Sequence, residues 1–352
     1  MAYTTINKST DYFNTKIYTG NGSDNHAITG VGFQPDWVWL KNRATSNSHY
    51  LQDALRGATK NLKSDATDAE ETRADSLKSF DSDGFTLGTE TAINGNGNNL
   101  VSWNWKAGTT GSGSTTGAGT AKTYNYSVNT TAGFSIVKYV GNGTAGQQIP
   151  HHLGAVPHFI MLKPLDRSDN WRIYHKGIDD SAPEDYFLKI NSNAARVDNS
   201  DVWNDTAPTS TYFTIGSNAG VGANDEEFIA YCFTEKNGYS KFNRYTANGN
   251  SDGTFVYTGF KPAFVLTKVI AAADNWALWD NKRGSYNVIK PMLRGDAAQA
   301  ESNNDSYKVD FLSNGFKWRS NDSKINGDGT SYIYVAFGQS VVGSNNTPTT
   351  AK

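Results

Sequence analysis

The sequence predicts an all-β protein built as three tandem antiparallel β-sandwich, jelly-roll-like domains. Three observations carry that prediction. The chain states nearly the same pattern three times. Its repeated segments are short stretches rich in large apolar and aromatic residues, and Asn/Gly turns punctuate them. Nowhere does a helical period persist over several turns.

The first recurring element is a turn. Tyr18-Thr19-Gly20-Asn21-Gly22 returns as Tyr139-Val140-Gly141-Asn142-Gly143 and as Tyr245-Thr246-Ala247-Asn248-Gly249. Asn and Gly accept positive φ at low cost, so the element is a tight turn. A proline-led apolar strand follows: Pro35-Asp36-Trp37-Val38-Trp39-Leu40-Lys41, then Pro157-His158-Phe159-Ile160-Met161-Leu162-Lys163, then Pro262-Ala263-Phe264-Val265-Leu266-Thr267-Lys268. Proline is tolerated at a strand's first residue and not in its middle.

Next come His49-Tyr50-Leu51, Trp171-Arg172-Ile173-Tyr174 and Trp276-Ala277-Leu278-Trp279, each predicted as a strand with one buried face. Gly84-Phe85-Thr86-Leu87, Tyr212-Phe213-Thr214-Ile215 and Gly315-Phe316-Lys317-Trp318 supply a further strand. In the outer copies a polar turn follows, at Asn94-Gly95-Asn96-Gly97 and Asn326-Gly327-Asp328-Gly329. The last strand is Val101-Ser102-Trp103-Asn104-Trp105, Ile229-Ala230-Tyr231-Cys232-Phe233 or Ile333-Tyr334-Val335-Ala336-Phe337. The stretch 64–77 lacks a sustained apolar face and is predicted as a loop.

These elements place an N-terminal segment at 1–13, copy 1 at 14–107, copy 2 at 133–238, copy 3 at 239–340 and a flexible C-terminal tail at 341–352. Equivalent prolines lie 122 and 105 residues apart, too far for a solenoid unit, so each copy is expected to be a small domain. Residues 108–132, which include Gly111-Ser112-Gly113-Ser114-Thr115-Thr116-Gly117, read as a Gly/Ser/Thr-rich linker. Copies 2 and 3 abut without a spacer and are expected to pack as a pair.

A formal net charge of -2 leaves no basic footprint for nucleic acid. The longest apolar runs are far too short to cross a bilayer. The start, Met1-Ala2-Tyr3-Thr4-Thr5, lacks the basic and apolar regions of a secretory signal. The one cysteine, Cys232, excludes an intrachain disulfide and reads as a packed thiol.

Motifs for chemistry are missing at the expected spacings: no H-E-x-x-H, no G-x-S-x-G, no phosphate-cradling G-x-x-x-x-G-K-[ST]. The neighbours His151 and His152 would point to opposite faces of a strand. The acidic neighbours Glu70-Glu71, Asp179-Asp180, Glu184-Asp185 and Glu226-Glu227 do not recur and read as solvated surface. Asp81-Ser82-Asp83-Gly84 and Asn326-Gly327-Asp328-Gly329 do not complete a calcium ligand ladder. The reading is therefore no catalytic residue, no metal and no cofactor.

Two features remain. Asp53-Ala54-Leu55-Arg56-Gly57 is echoed by Asp280-Asn281-Lys282-Arg283-Gly284, and a carboxylate three residues before an arginine can close a turn. Asp53, Arg56, Asp280 and Arg283 are accordingly read as structural braces. Most tryptophans fall at recurring apolar positions and read as core. Trp203, Tyr124 and Tyr126 are less tied to the repeat and are the candidate ligand-binding residues.

The combination of Gly-Phe-Gln-Pro-Asp-Trp-Val-Trp-Leu-Lys (32–41), Asp-Gly-Phe-Thr-Leu-Gly (83–88) and Trp203-Asn204-Asp205-Thr206-Ala207-Pro208 resembles repeat-bearing structural proteins of marine tailed bacteriophages. Gly238-Tyr239-Ser240-Lys241-Phe242 and the stretch from Asp310 to Lys317 extend it over about residues 14–340. The resemblance implies a non-enzymatic virion protein, made in the host cytoplasm. Its first expected role is a tail fibre or appendage protein adhering to host-surface polysaccharide. Capsid decoration or a head fibre is the alternative, and a glycan-cleaving tailspike the third. Its expected partners are other virion proteins, and its expected assembly is a homotrimer.

Overall fold

The structure, a computed structural model, describes residues 4–340. The expected tail at 341–352 and the first three residues of the N-terminal segment lie outside the described residues.

The chain is all-β, with several antiparallel sheets, and each copy repeats one strand order. In copy 1 the large sheet runs Phe13–Thr19, Asn99–Trp105, Trp37–Asn42, Tyr50–Asp53. Copy 2 has Phe134–Val140, Glu227–Phe233, Phe159–Pro164 and Arg172–His175 in that sequence. Copy 3 has Ser240–Thr246, Ser331–Gln339, Lys261–Val269 and Ala277–Asp280. Each copy also carries a small sheet, opened by His26–Thr29, Gln147–Pro150 or Phe255–Tyr257 and paired to Gly84–Leu87, Tyr212–Ile215 or Gly315–Trp318.

The recurring turn holds Gly22, Gly143 and Gly249 at φ of 67°, 70° and 62°, a region where a side chain is strained. The polar turns before the closing strands are single helical turns, Thr91–Asn94, Ala219–Gly222 and Ser323–Asn326. Each is capped by a side chain, from Glu90, Asn218 or Asp322.

One face of every large sheet packs on its own small sheet. In copy 1, Val38 and Leu40 meet Ile28, Leu77, Phe85 and Leu87. The other face of all three large sheets shares a single core. Trp37, Trp39, Trp103 and Trp105 of copy 1 lie there with Phe159, Met161, Tyr231 and Phe233 of copy 2 and Phe264, Leu266, Val335 and Phe337 of copy 3. Trp37 stacks on Trp105 at 4.4 Å and on Tyr231 at 4.5 Å. Burial on both faces explains why the proline-led strands read as almost continuous apolar runs.

Hydrogen bonds close the three copies into a ring. His49 Nε2 of copy 1 donates to Arg294 O of copy 3. At the equivalent places Trp171 Nε1 donates to Lys63 O of copy 1, and Trp276 Nε1 to Lys189 O of copy 2. The recurring lysines follow the same cycle. Lys41 reaches Ala298 O, Lys163 reaches Thr67 O and Lys268 reaches Asn193 O, each also holding carbonyls of its own copy. Burial pulls all three ammonium groups down to about 8, and the carbonyl cages offset that desolvation. Copies 2 and 3 are therefore not a separate pair; every copy abuts both others.

Residues 108–132 are not a bare linker. Thr109–Ser114 and Thr123–Asn129 form an antiparallel pair added to the copy 2 large sheet. Its glycines have a packing purpose: Gly111 lies opposite Tyr126 and Gly113 opposite Tyr124, and a Cβ at either would fall 2.5–2.6 Å from the ring hydroxyl. Thr116–Gly117 then pairs with the small sheet of copy 2 and covers its edge. The N-terminal segment is also tied down. Ile6 is buried, Ser9 N donates to Gln339 Oε1 at 2.7 Å, and Tyr12 meets Tyr239 edge-on.

Candidate functional site

The Asp/Arg pairs lie at the copy interfaces. Arg56 Nε donates to Asp53 Oδ2 at 2.5 Å and Nη1 to Glu70; both members of the Asp53 pair are buried. Tyr231 of copy 2 donates its hydroxyl to the same Asp53 oxygen at 2.7 Å. Asp280 and Arg283 repeat the arrangement at 2.6 Å, and the donor across the interface is Trp103 Nε1 of copy 1. At the third interface the position of Tyr231 and Trp103 is Val335, which has no donor. There the aspartate is replaced by His175, whose Nε2 donates to the backbone oxygen of Tyr334 instead. The missing motif in copy 2 is thus a matched change across an interface.

The three sequence-predicted ligand residues do not form a surface site. Trp203 is 2% exposed and packs edge-on against Tyr174 and Phe213 in the core of copy 2. The helical turn Ser200–Trp203 stands where copy 1 begins its strand Leu77–Asp81: Gly216 N donates to Val202 O as Gly88 N does to Ser76 O, so Trp203 fills the core place of Leu77. Tyr124 is buried in the same core, and its hydroxyl bonds His152 Nε2 at 2.9 Å. Tyr126 is half-buried and stacks on the His152 ring at 3.7 Å. Both tyrosines cover glycines of their neighbouring strand rather than facing solvent together.

Other titratable groups are also committed locally. Asp83 accepts the backbone N–H groups of Gly30 and Gly32, and Asp81 accepts the hydroxyls of Ser79 and Thr86. Among the described residues no group of three or more His, Cys, Asp or Glu side chains gathers to hold a metal ion. Cys232 is buried, which pushes its thiol well above the ordinary range. Glu71 to Asp75 line a shallow concavity, whose Arg73 is paired to Asp75 and Glu90.

Burial pulls His175 down to about 3, and His151 and His158 to about 4. Unfolded histidines titrate near 6.5, so the unfolded chain binds more protons between those values. Stability is accordingly expected to fall as pH drops from about 6.5 towards 4. Urea midpoints measured across that range check this, and midpoints that rise on acidification would contradict it.

The surface that breaks the repeat is the small sheet of copy 3. Among the described residues six large apolar side chains are exposed, and four belong here: Phe255 (43%), Tyr257 (60%), Tyr286 (87%) and Val288 (41%). Phe255 and Tyr257 flank buried Val256 on an edge strand, so both point outward. Their equivalents by register are Ala27 and Thr29 in copy 1, and Gln148 and Pro150 in copy 2. Across the sheet, Ile289 pairs with Val309, and Asn287 bonds the backbone of Phe311 at both its N–H and its C=O. That attachment leaves Tyr286 and Val288 exposed along the opposite edge. Between the two edges lie Gly315 and Lys317, paired to Tyr257 and Phe255. The Phe255 ring lies over Gly315, 2.9 Å from where a Cβ would stand. Lys317 and Arg319 share Asp252.

The repeat conceals this face in the sequence, because each copy keeps an apolar residue at the middle position. The signal was available by aligning the copies, since only copy 3 places aromatics on both sides of it. The face offers broad rings and a charged strip, and no arrangement of acid, base and nucleophile.

A family model described as a domain of unknown function (DUF7483) matches residues 8–340, taking all three copies as one unit. No curated protein and no solved structure matches the chain.

Proposed function

Since the chain belongs to the DUF7483 family, whose description assigns no function, we propose from its own residues that it is a non-enzymatic adhesion protein of a bacteriophage virion. The carrying observation is the aromatic face of copy 3, exposed where the other copies are small or polar. Sugar rings pack their C–H faces on aromatic side chains, which bury much area for little lost conformational freedom. The closed ring supplies a stiff mount for such a surface. The viral setting rests on the sequence resemblance over residues 14–340. In this reading the chains assemble as homotrimers on other virion proteins, and several copies of a weak contact raise avidity.

The test is retention of the labelled chain on intact marine bacteria, competed by their purified envelope polysaccharide. Competable retention is the expected result; its absence at high protein concentration would reject adhesion. Immunolabelling of particles on the head rather than the tail would favour capsid decoration. Sustained release of reducing ends from the polysaccharide would replace both readings with an enzyme.

A further inference from the structure

The charge of the three copies is uneven. Residues 239–340 hold 12 Lys and Arg against 9 Asp and Glu, whereas 14–107 hold 9 against 11 and 133–238 hold 8 against 13. Copy 3 is the cationic third of an otherwise acidic ring, and it is the third with the aromatic face. Lys317 projects from the middle strand of that face beside Phe255, with Arg319 two residues on. Lys308 precedes the third strand, and Lys290 follows the attached segment at the far edge. The acids nearest them are Asp252, Asp305 and Asp310. Asp252 and Asp305 are highly exposed, so their ion pairs with Lys317, Arg319 and Lys290 are weak and exchangeable.

We infer that this face binds an anionic polysaccharide, its sugar rings on Phe255, Tyr257 and Tyr286 and its acidic groups on the basic strip; the inference rests on the adhesion reading. Phe255 and Tyr257 stand roughly 7 Å apart along their strand. From that strand to the attached segment is three strand spacings, roughly 14 Å. A chain laid across the sheet therefore meets rings at both edges and Lys317 between them, next to the nearly buried Asp310 that holds Arg319. Gly315, without a side chain, lets the Phe255 ring lie across the middle strand. A neutral glycan would use the rings and leave the basic strip idle. A polyanion without sugar faces would use the strip and leave the rings idle.

The experiment measures binding to immobilised alginate, a polyuronate, with dextran and duplex DNA as the other arms. Expected is binding to alginate in preference to both, weakening steadily with added salt. Changing Tyr257→Ser together with Tyr286→Ser should lower alginate affinity roughly tenfold or more while leaving thermal stability unchanged. The matched change Thr29→Ala in copy 1 should have no effect. Equal binding to dextran, equal binding to DNA, or alginate binding indifferent to the two tyrosines would each overturn the inference. So would a concentration-dependent dimer abolished by the tyrosine changes, which would make the face a contact between chains. Cells retained equally by wild type and tyrosine variant would leave adhesion standing and reject only this assignment.

Discussion

Copy 2 produced alone, as residues 107–238, is expected to yield aggregated or non-native protein, while the full chain unfolds in one cooperative transition. The reason is the side of its large sheet that faces the other copies. Phe134, Ile136, Phe159, Met161, Trp171, Ile173, Tyr231 and Phe233 are all buried in the shared core. Exposing such side chains costs about 1.5–3 kcal/mol each for the aliphatic and phenyl groups. Total stabilities of natural domains are about 5–15 kcal/mol, so the loss exceeds what one copy can hold. An apolar patch of that extent is also larger than soluble monomers expose. Size-exclusion behaviour, amide dispersion and dye binding measure the outcome. A monomeric fragment with dispersed amides and its own sharp melt would show that the shared core is dispensable.

Arg56→Ala is expected to destabilise the chain by about 3–5 kcal/mol, read from urea unfolding. The substitution leaves the Asp53 carboxylate buried with the Tyr231 hydroxyl and one backbone N–H, its charge uncompensated. Glu70 loses a partner at the same time, although Lys60 remains beside it. Lys290→Ala removes an ion pair to the exposed Asp305 and is expected to cost less. A double-mutant cycle of Asp53→Asn with Tyr231→Phe should give a coupling of about 0.5–3 kcal/mol, because the pair spans copies 1 and 2. Equal costs for Arg56→Ala and Lys290→Ala would refute an interface role for the brace.

How much of this was legible before coordinates differs from element to element. The three strand orders were legible because a turn that needs positive φ and a strand that needs both faces apolar leave few choices of residue. Trp39, Met161 and Leu266 were recognisable as interior from recurrence alone. What recurrence does not reveal is which interior: the same letters fit a core within each copy or one between copies. The carbonyls that receive His49, Trp171 and Trp276 belong to Arg294, Lys63 and Lys189, in the repeated pattern Leu293-Arg294-Gly295-Asp296, Leu62-Lys63-Ser64-Asp65 and Leu188-Lys189-Ile190-Asn191, which does not itself say that its partner lies in another copy. Composition misled at Gly111 and Gly113, where glycine marks a tyrosine ring across the strand rather than a slack connection. Trp203 misled in the opposite way, since an aromatic that matches no letter of the repeat can still fill a recurring core place, that of Leu77. The copy 3 face was present in the letters at Phe255 and Tyr257, hidden by the regular alternation around Val256.

Closure of the ring within one polypeptide has an evolutionary consequence. In an assembly of identical subunits, any change to the outer surface is imposed at every position round the axis. Fusing the subunits into one reading frame removes that constraint. Two repeats can be kept by selection as ballast and architecture while the third drifts towards a new chemistry. The matched pair of His175 and Val335 is the same freedom exercised inside the molecule, one seam pairing differently while the other two keep an aspartate–arginine brace.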